Sequence, residues 1–275
     1  MSNDFIKTAV IGHPISHSKS PLIHRYWLEK HGLSGSYNAI DVPVDNLKQG
    51  VADIIKDGFS GFNVTIPHKI SIMDICDEID DLATAIGAVN TVTIKNGKLY
   101  GTNTDGFGFV ENIKRSAADF DFKEGKAVVL GAGGAANAVI YALLQEGVPE
   151  IFIANRTKEK AQKLTAFNPE KIKAIDWALR NDVLEHANLI INTTSLGMAG
   201  HPPLDISLRA APAHVLVTDI IYAPLITDLL KQAKISKLRT VTGIGMLLHQ
   251  ARPGFKLWNG VLPEVTEELE QLVLT

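Results

Sequence analysis

The chain has 275 residues, 45% of them hydrophobic and 21% charged, with 27 Lys and Arg against 30 Asp and Glu. These proportions exclude disordered, collagen-like and low-complexity architectures, and a net charge of −3 leaves no basic excess for a nucleic-acid partner. The single cysteine, Cys76, excludes an intrachain disulfide and the cysteine-rich zinc modules.

Met1 to Lys7 lacks the basic-then-apolar pattern of a secretory signal, and no apolar run reaches the roughly 18 residues of a membrane span. Cytoplasmic residence is the default expectation. Lys7 to Ile11 reads as a strand. Ser20 to His31 reads as a helix, with Ser20 as its cap and Pro21 in its first turn. A strand at Ser36 to Val42, a helix at Asp45 to Lys56 and a strand at Phe59 to Thr65 follow. Ala88 to Ile94 and Lys98 to Gly101 form a predicted hairpin turning at Asn96-Gly97.

A new rhythm starts with a helix at Asp105 to Ser116. Lys126 to Leu130 is a short continuous apolar run, the pattern of a parallel strand buried on both faces. A helix from about Asn137 to Gln145 and a strand at Glu150 to Ala154 complete a βαβ unit. Further strands are expected at Ile172 to Ile175, Leu189 to Asn192, Val215 to Asp219 and Arg239 to Val241, before a helical tail from Gly245. Strands interleaved with helices indicate an α/β fold, with a domain boundary near 105 and a second near 242.

Between the first strand and helix of that βαβ unit stands Gly131-Ala132-Gly133-Gly134-Ala135-Ala136, which fits the dinucleotide pattern G-x-G-x-x-G/A. Gly131 permits the tight turn, Gly133 lets backbone approach a pyrophosphate, and Ala136 allows close helix–strand packing. The bland alternative is a glycine-rich turn with no ligand. At the end of the second strand NAD-binding folds place a carboxylate for the ribose hydroxyl. Here Asn155-Arg156-Thr157 stands instead, with Lys158 and Lys160 following. A guanidinium at that position suits a 2′-phosphate; Asn155 could equally cap the next helix.

The first half is rich in polar groups whose structural and functional readings stay open at this level. Ser18 and Ser20 suit capping and turn roles, Lys69 a surface charge, and Asp105 a helix cap. His13 and His17 are separated by a proline-containing loop with no carboxylate, so a metal site is not expected. Thr193-Thr194-Ser195-Leu196-Gly197 lacks the first glycine of a nucleophile elbow, which removes the hydrolase reading.

Nine segments in order resemble the shikimate dehydrogenase family. In the first half they are His17-Ser18-Lys19-Ser20-Pro21, Asn63-Val64-Thr65-Ile66-Pro67-His68-Lys69, Gly87-Ala88-Val89-Asn90-Thr91 and Asn103-Thr104-Asp105-Gly106. In the second half they are Gly131 to Ala135, Asn155-Arg156-Thr157, Asn192 to Met198, Asp219 to Thr227 and Gly243 to Ala251. The resemblance implies reversible NADP-dependent reduction of 3-dehydroshikimate to shikimate, towards chorismate and the aromatic amino acids. Lys69 and Asp105 match the family's catalytic pair. Ser18, Ser20, Thr65, Asn90, Tyr222 and Gln250 match substrate-side residues. Ile220 and Gly243 match cofactor contacts, beside Gly131, Ala132, Gly133, Gly134, Ala135, Asn155, Arg156, Thr157, Lys158 and Lys160. His68 and Lys160 depart mildly from the family pattern.

The implied arrangement is a substrate domain over 1–104, rejoined by 243–275 so that Gln250 reaches the substrate, and a Rossmann-type NADP domain over 105–242, with the cleft between them. The residue types suit the chemistry: a small anion rich in hydroxyls needs converging Ser, Thr, Asn and Gln groups, and ketone reduction needs a proton donor such as a lysine. No metal is required, no nucleic acid or membrane partner is expected, and the chain would be a monomer or homodimer. The competing readings are an NAD-using quinate/shikimate dehydrogenase and a non-catalytic dinucleotide sensor.

Overall fold

The computed structural model describes residues 5–275. The chain divides into two compact units, one running through Thr104 together with Leu248–Thr275, the other Asp105–Leu247.

The first unit holds a six-stranded mixed sheet. Its strands are β1 (Ile6–Gly12), β2 (Gly35–Asp41), β3 (Gly61–Val64), β4 (Glu78–Ile79), β5 (Thr91–Lys95) and β6 (Lys98–Thr102), in the order β2-β1-β3-β5-β6-β4. β1 runs parallel to β2 and β3, whereas β5 runs antiparallel to β3 and β6. Successive residues of β1 serve opposite faces, as a pleated strand requires. Ala9 and Ile11 join a core with Val51 and Ile54 of helix α2 (Leu47–Lys56), while Val10 packs with Tyr37 and Trp258. On that second face His24 of helix α1 (Ser20–Lys30) stacks on Tyr37, ring centroids 3.9 Å apart. Phe255 and Trp258, both on helix α8 (Ile244–Asn259), close round the same imidazole.

The expected hairpin turns at Asn96 and Gly97, both at positive φ. Ser20 is the first residue of α1, and Lys19 holds the cap position without a side-chain bond. Pro21 sits in the first turn as expected. β4 and helix α3 (Asp81–Ile86) have no counterpart in the sequence reading because two and six residues are too short for a periodic signal. Their punctuation is nevertheless present: Asp80 accepts a hydrogen bond from Ala83 N at 2.8 Å, and Gly87 ends the helix at φ 73°.

In the second unit, helix α4 (Asp105–Ser116) precedes β7 (Lys126–Leu130), helix α5 (Gly134–Gln145), β8 (Glu150–Asn155), helix α6 (Lys158–Leu164) and β9 (Ile172–Asp176). β10 (Ala187–Asn192), β11 (Leu216–Asp219), helix α7 (Asp228–Ile235) and β12 (Arg239–Val241) follow. The sheet is wholly parallel in the order β12-β11-β10-β7-β8-β9. The chain moves outward from β7 through β8 to β9, then returns to β7's other side at β10, so strand order reverses at β7. That is the switch point at which doubly wound sheets bind ligands. Both faces of β7 are covered: Ala127 and Val129 enter one core, Val128 and Leu130 the other.

Three further expectations need correction here. α5 begins at Gly134 and not Asn137, because Gly133 already occupies the cap position. Asp105 is the first residue of α4, inside its first turn and not ahead of it. The division in the tail falls after Leu247 and not at 243, because Met246 packs into the second unit's core. The chain ends in helix α9 (Glu267–Leu274), in the first unit. No helix among the described residues is long and apolar enough to cross a membrane.

Candidate active site

Topology gathers the polar residues of the first unit at one sheet edge. β5 and β6 form a hairpin antiparallel to β3. The carboxyl ends of β1, β3 and β6 and the amino end of β5 therefore lie side by side. Ser18 and Ser20 follow β1, Thr65 and Lys69 follow β3, Asn90 precedes β5, and Thr104 follows β6.

Asn90, 2% exposed, is the hub. Its Oδ1 accepts from Thr104 N at 2.9 Å and from Thr91 Oγ1 at 3.0 Å. Its Nδ2 donates to Thr104 Oγ1 at 3.0 Å and reaches Gln250 Oε1 on α8 at 3.5 Å. Behind it, Asn63 Nδ2 donates to Asn90 O and Thr91 Oγ1, and Tyr37 donates to Asn63 Oδ1 at 2.6 Å. Burial pushes the Tyr37 phenol upward, so it stays a donor. Removing one member of such a buried network costs about 1–3 kcal/mol for each partner left unsatisfied.

Ser18 Oγ accepts from Ser20 N at 3.3 Å, which orders the loop before α1. The turn after β3 is tied by His68 N to Thr65 O, and Lys69 lends its carbonyl to Val89 N at 2.8 Å. His68 is buried, with Nε2 at 2.6 Å from the Val42 carbonyl. That unusual residue thus points inward as an anchor, and half-buried Lys69 beside it is held through its backbone.

The second unit carries a cavity of about 380 Å³ at the carboxyl ends of its central strands. Gly131 adopts φ +112°, and a Cβ there would stand 2.6 Å from Thr193 Oγ1. A Cβ at Gly133 or Gly134 would meet no atom within 4 Å, so both glycines leave space over the start of α5. One wall is Asn155, Arg156, Thr157 and Lys160; the other is Thr193 to Leu196, with Trp177 at the rim of β9. Asn155 Nδ2 donates to Thr157 O at 2.8 Å, while Thr157 holds the cap position of α6. Asn155 is therefore not the cap that sequence alone allowed. Two cations and no carboxylate line this cavity, so an anionic dinucleotide with an added phosphate fits its donors.

The wall opposite Arg156 is set from beneath. Asp219, fully buried, accepts from Thr227 Oγ1 at 2.7 Å, Ile221 N at 3.0 Å and Asn192 Nδ2 at 3.1 Å. Burial pushes its carboxyl upward, against the pull of these donors. Asn192 Oδ1 in turn accepts from Thr194 N and Thr194 Oγ1, at 3.0 and 2.7 Å. Next to β11, Gly243 admits the Ile220 carbonyl where any Cβ would collide. Tyr222, partly buried, has its phenol pushed upward by desolvation.

Of the expected cofactor residues, Gly131, Ala132, Gly133, Asn155, Arg156, Thr157 and Lys160 share the cavity. Gly134, Ala135, Lys158, Ile220 and Gly243 do not line it. Of the expected substrate residues, Asn90 and Gln250 are in direct contact, and Ser18, Ser20 and Thr65 stand at the same edge. Trp177 and Thr193 to Leu196 were missed as lining residues. The parallel-strand pattern was their available signal, since neighbouring strands end at one crevice.

A reversing parallel sheet with a glycine turn at its switch point, on one chain with a second α/β unit presenting converging amides and hydroxyls, defines a dinucleotide-binding class of α/β protein. Residues 10–92 match the family model "Shikimate dehydrogenase substrate binding domain", and residues 112–199 match "Shikimate / quinate 5-dehydrogenase". The protein named shikimate dehydrogenase (NADP(+)) from Roseobacter denitrificans is 47% identical over 96% of both chains. Among solved structures, quinate dehydrogenase from Corynebacterium glutamicum in complex with NAD aligns with a TM-score of 0.91 at 31% identity, covering 98% of this chain and 99% of that one. Shikimate 5-dehydrogenase from Thermus thermophilus in complex with NADP(H) and shikimate aligns with a TM-score of 0.87 at 36% identity, covering 98% of each. The chain belongs to the shikimate dehydrogenase family.

Proposed function

We propose that this chain catalyses the reversible, NADP-dependent reduction of 3-dehydroshikimate to shikimate. The observation that carries the cofactor half of this reading is the strand-end wall of the nucleotide cavity, where Arg156 and Lys160 stand and no carboxylate does. NADPH, when bound, supplies the hydride. The glycine turn Gly131 to Gly133 takes the pyrophosphate, and Arg156 offers a planar fork of donors to the 2′-phosphate. Lys160 adds charge at the rim, where solvent screens it.

The substrate half rests on the buried amide network. A ring carrying a carboxylate and several hydroxyls is oriented by Ser18 and Ser20 at its carboxylate end and by Thr65, Asn90 and Gln250 along its hydroxyls. Tyr222 serves on the substrate side. Lys69 stabilises the oxygen as charge develops on it and gives it a proton, with Asp105 as partner in that step. Asn90 is pre-set by its own bonds, so orienting the substrate demands little reorganisation. The reaction runs in the cytoplasm.

Purified protein assayed with shikimate or quinate, each with NADP or NAD, tests this. Shikimate with NADP should give the highest kcat/KM. Quinate carries an additional hydroxyl on the carboxylate-bearing carbon and should be poor, because the two serines leave that group unpaired or crowded. Equal efficiency on quinate and NAD overturns the reading in favour of the quinate/shikimate class. No turnover of any pair favours a nucleotide-binding sensor.

A further inference from the structure

We infer that Trp177 is the platform on which the adenine ring of the cofactor stacks. The inference rests on the nucleotide reading of the glycine-turn cavity. In a sheet ordered β12-β11-β10-β7-β8-β9, the ligand lies across the end of β7. Ribose recognition at the end of β8 puts the adenosine half on the β8–β9 side and the nicotinamide half on the β10–β11 side. β8 and β9 pair with Asn155 opposite Asp176. Trp177 is the next residue along, so it stands one strand beyond Arg156, about 5 Å further out. It lines the same cavity as Arg156 and Gly131.

The indole is held in place by a neighbouring cation. The Arg180 guanidinium carbon lies 5.0 Å from the ring centroid. Arg180 is itself fixed by Asp205, through the carbonyl at 2.7 Å and the carboxylate at 2.8 Å, and its Nη1 donates to Trp177 O at 2.9 Å. A partly buried indole held beside a tethered cation and lining the cavity offers a flat apolar surface, which a purine uses whatever its hydrogen-bonding edge.

The placement provides its own probe. Of the three tryptophans, Trp27 and Trp258 are buried in the first unit, and Trp177 is the one in the second. Adenosine 2′,5′-bisphosphate, which lacks the nicotinamide half, should quench part of the tryptophan emission of the whole protein, and nicotinamide mononucleotide should not. Trp177→Phe should abolish the quench while binding adenosine 2′,5′-bisphosphate within about threefold of wild type by calorimetry, since a phenyl ring keeps a platform. Trp177→Ala should weaken that binding on the order of tenfold and leave the KM for shikimate unchanged. Binding of adenosine 2′,5′-bisphosphate by the wild type without any quench, or wild-type affinity in Trp177→Ala, overturns the role of Trp177 alone. Failure of the wild type to bind it at all overturns the nucleotide reading and this assignment with it.

Discussion

Asn90 in the first unit and Gly131 in the second both stand where the strands of a sheet end, and they are built to opposite specifications. Asn90 works through its side chain: the acceptor oxygen is held by Thr104 and Thr91, and the donor nitrogen by Thr104 with Gln250 at 3.5 Å. Gly131 works by having no side chain, since its φ of +112° and the nearby Thr193 exclude one. In the proposed function the first unit would receive a small hydroxylated ring with side-chain amides and hydroxyls in a buried network. The second would receive a charged dinucleotide on bare backbone, with one cationic wall beside it. A compact polar ligand needs direction at each hydroxyl, whereas a pyrophosphate needs space and a field of N–H donors.

The sharpest way to separate the two units is to damage one and watch the other. Lys69→Ala should lower kcat by about 10²–10⁴ if the ammonium transfers the proton, with the dissociation constant for NADP changed by no more than a fewfold. Turnover close to wild type would remove Lys69 from the chemistry. The reciprocal experiment is Arg156→Ala, which should raise the KM for NADP by roughly ten- to a hundredfold and barely change that for NAD, as one charge-assisted contact is lost. A variant that still prefers NADP as strongly would reject the clamp.

Two neighbouring glycines then divide architecture from ligand binding within the second unit. Gly131→Ala should cost about 1–3 kcal/mol of stability through its backbone conformation, read as a lower Tm without ligand. Gly133→Ala should leave that Tm unchanged, because its methyl meets open space, yet weaken NADP by roughly tenfold by occupying the pyrophosphate's approach. Equal effects of both on Tm and none on NADP would reduce the turn to plain architecture.

A last effect belongs to the first unit and appears only with acid. Burial pushes the His24 imidazole down to about 3, and among the described residues neither ring nitrogen finds a hydrogen-bond partner. Its ordinary value is 6.5, so below that pH the unfolded chain takes up a proton that the folded chain refuses. Stability from this group is full above pH 6.5 and falls as pH drops towards 3, by up to roughly 1.4 kcal/mol per unit. Denaturant midpoints measured between pH 7 and 4 should therefore show a slope that His24→Phe flattens. An unchanged slope would mean another group governs the acid limb.

Much of the nucleotide unit is legible in the sequence, because its signals are local. β7 and α4 fall where the apolar run and the helical pattern place them, and the glycine turn joins consecutive elements. Arg156 could be read the same way, since a strand end following that turn identifies its neighbourhood from sequence spacing. The family motifs named Asn90 and Gln250, although composition and periodicity alone left polar residues of this kind between capping and binding.

Only the tertiary structure decided how these residues meet. Asn90 and Gln250 are 160 positions apart and touch because α8 belongs to the first unit from Leu248 onward. His68 turned out to be an inward anchor on Val42, and Asn155 a bond donor to Thr157 with no capping role. Trp177 entered the cavity through the pairing of β8 with β9, which no linear spacing records. The physical reason is the range of the forces: backbone conformation and amphipathic period are set by neighbours in the chain, whereas a buried hydrogen bond or a shared crevice exists only once distant strands have paired.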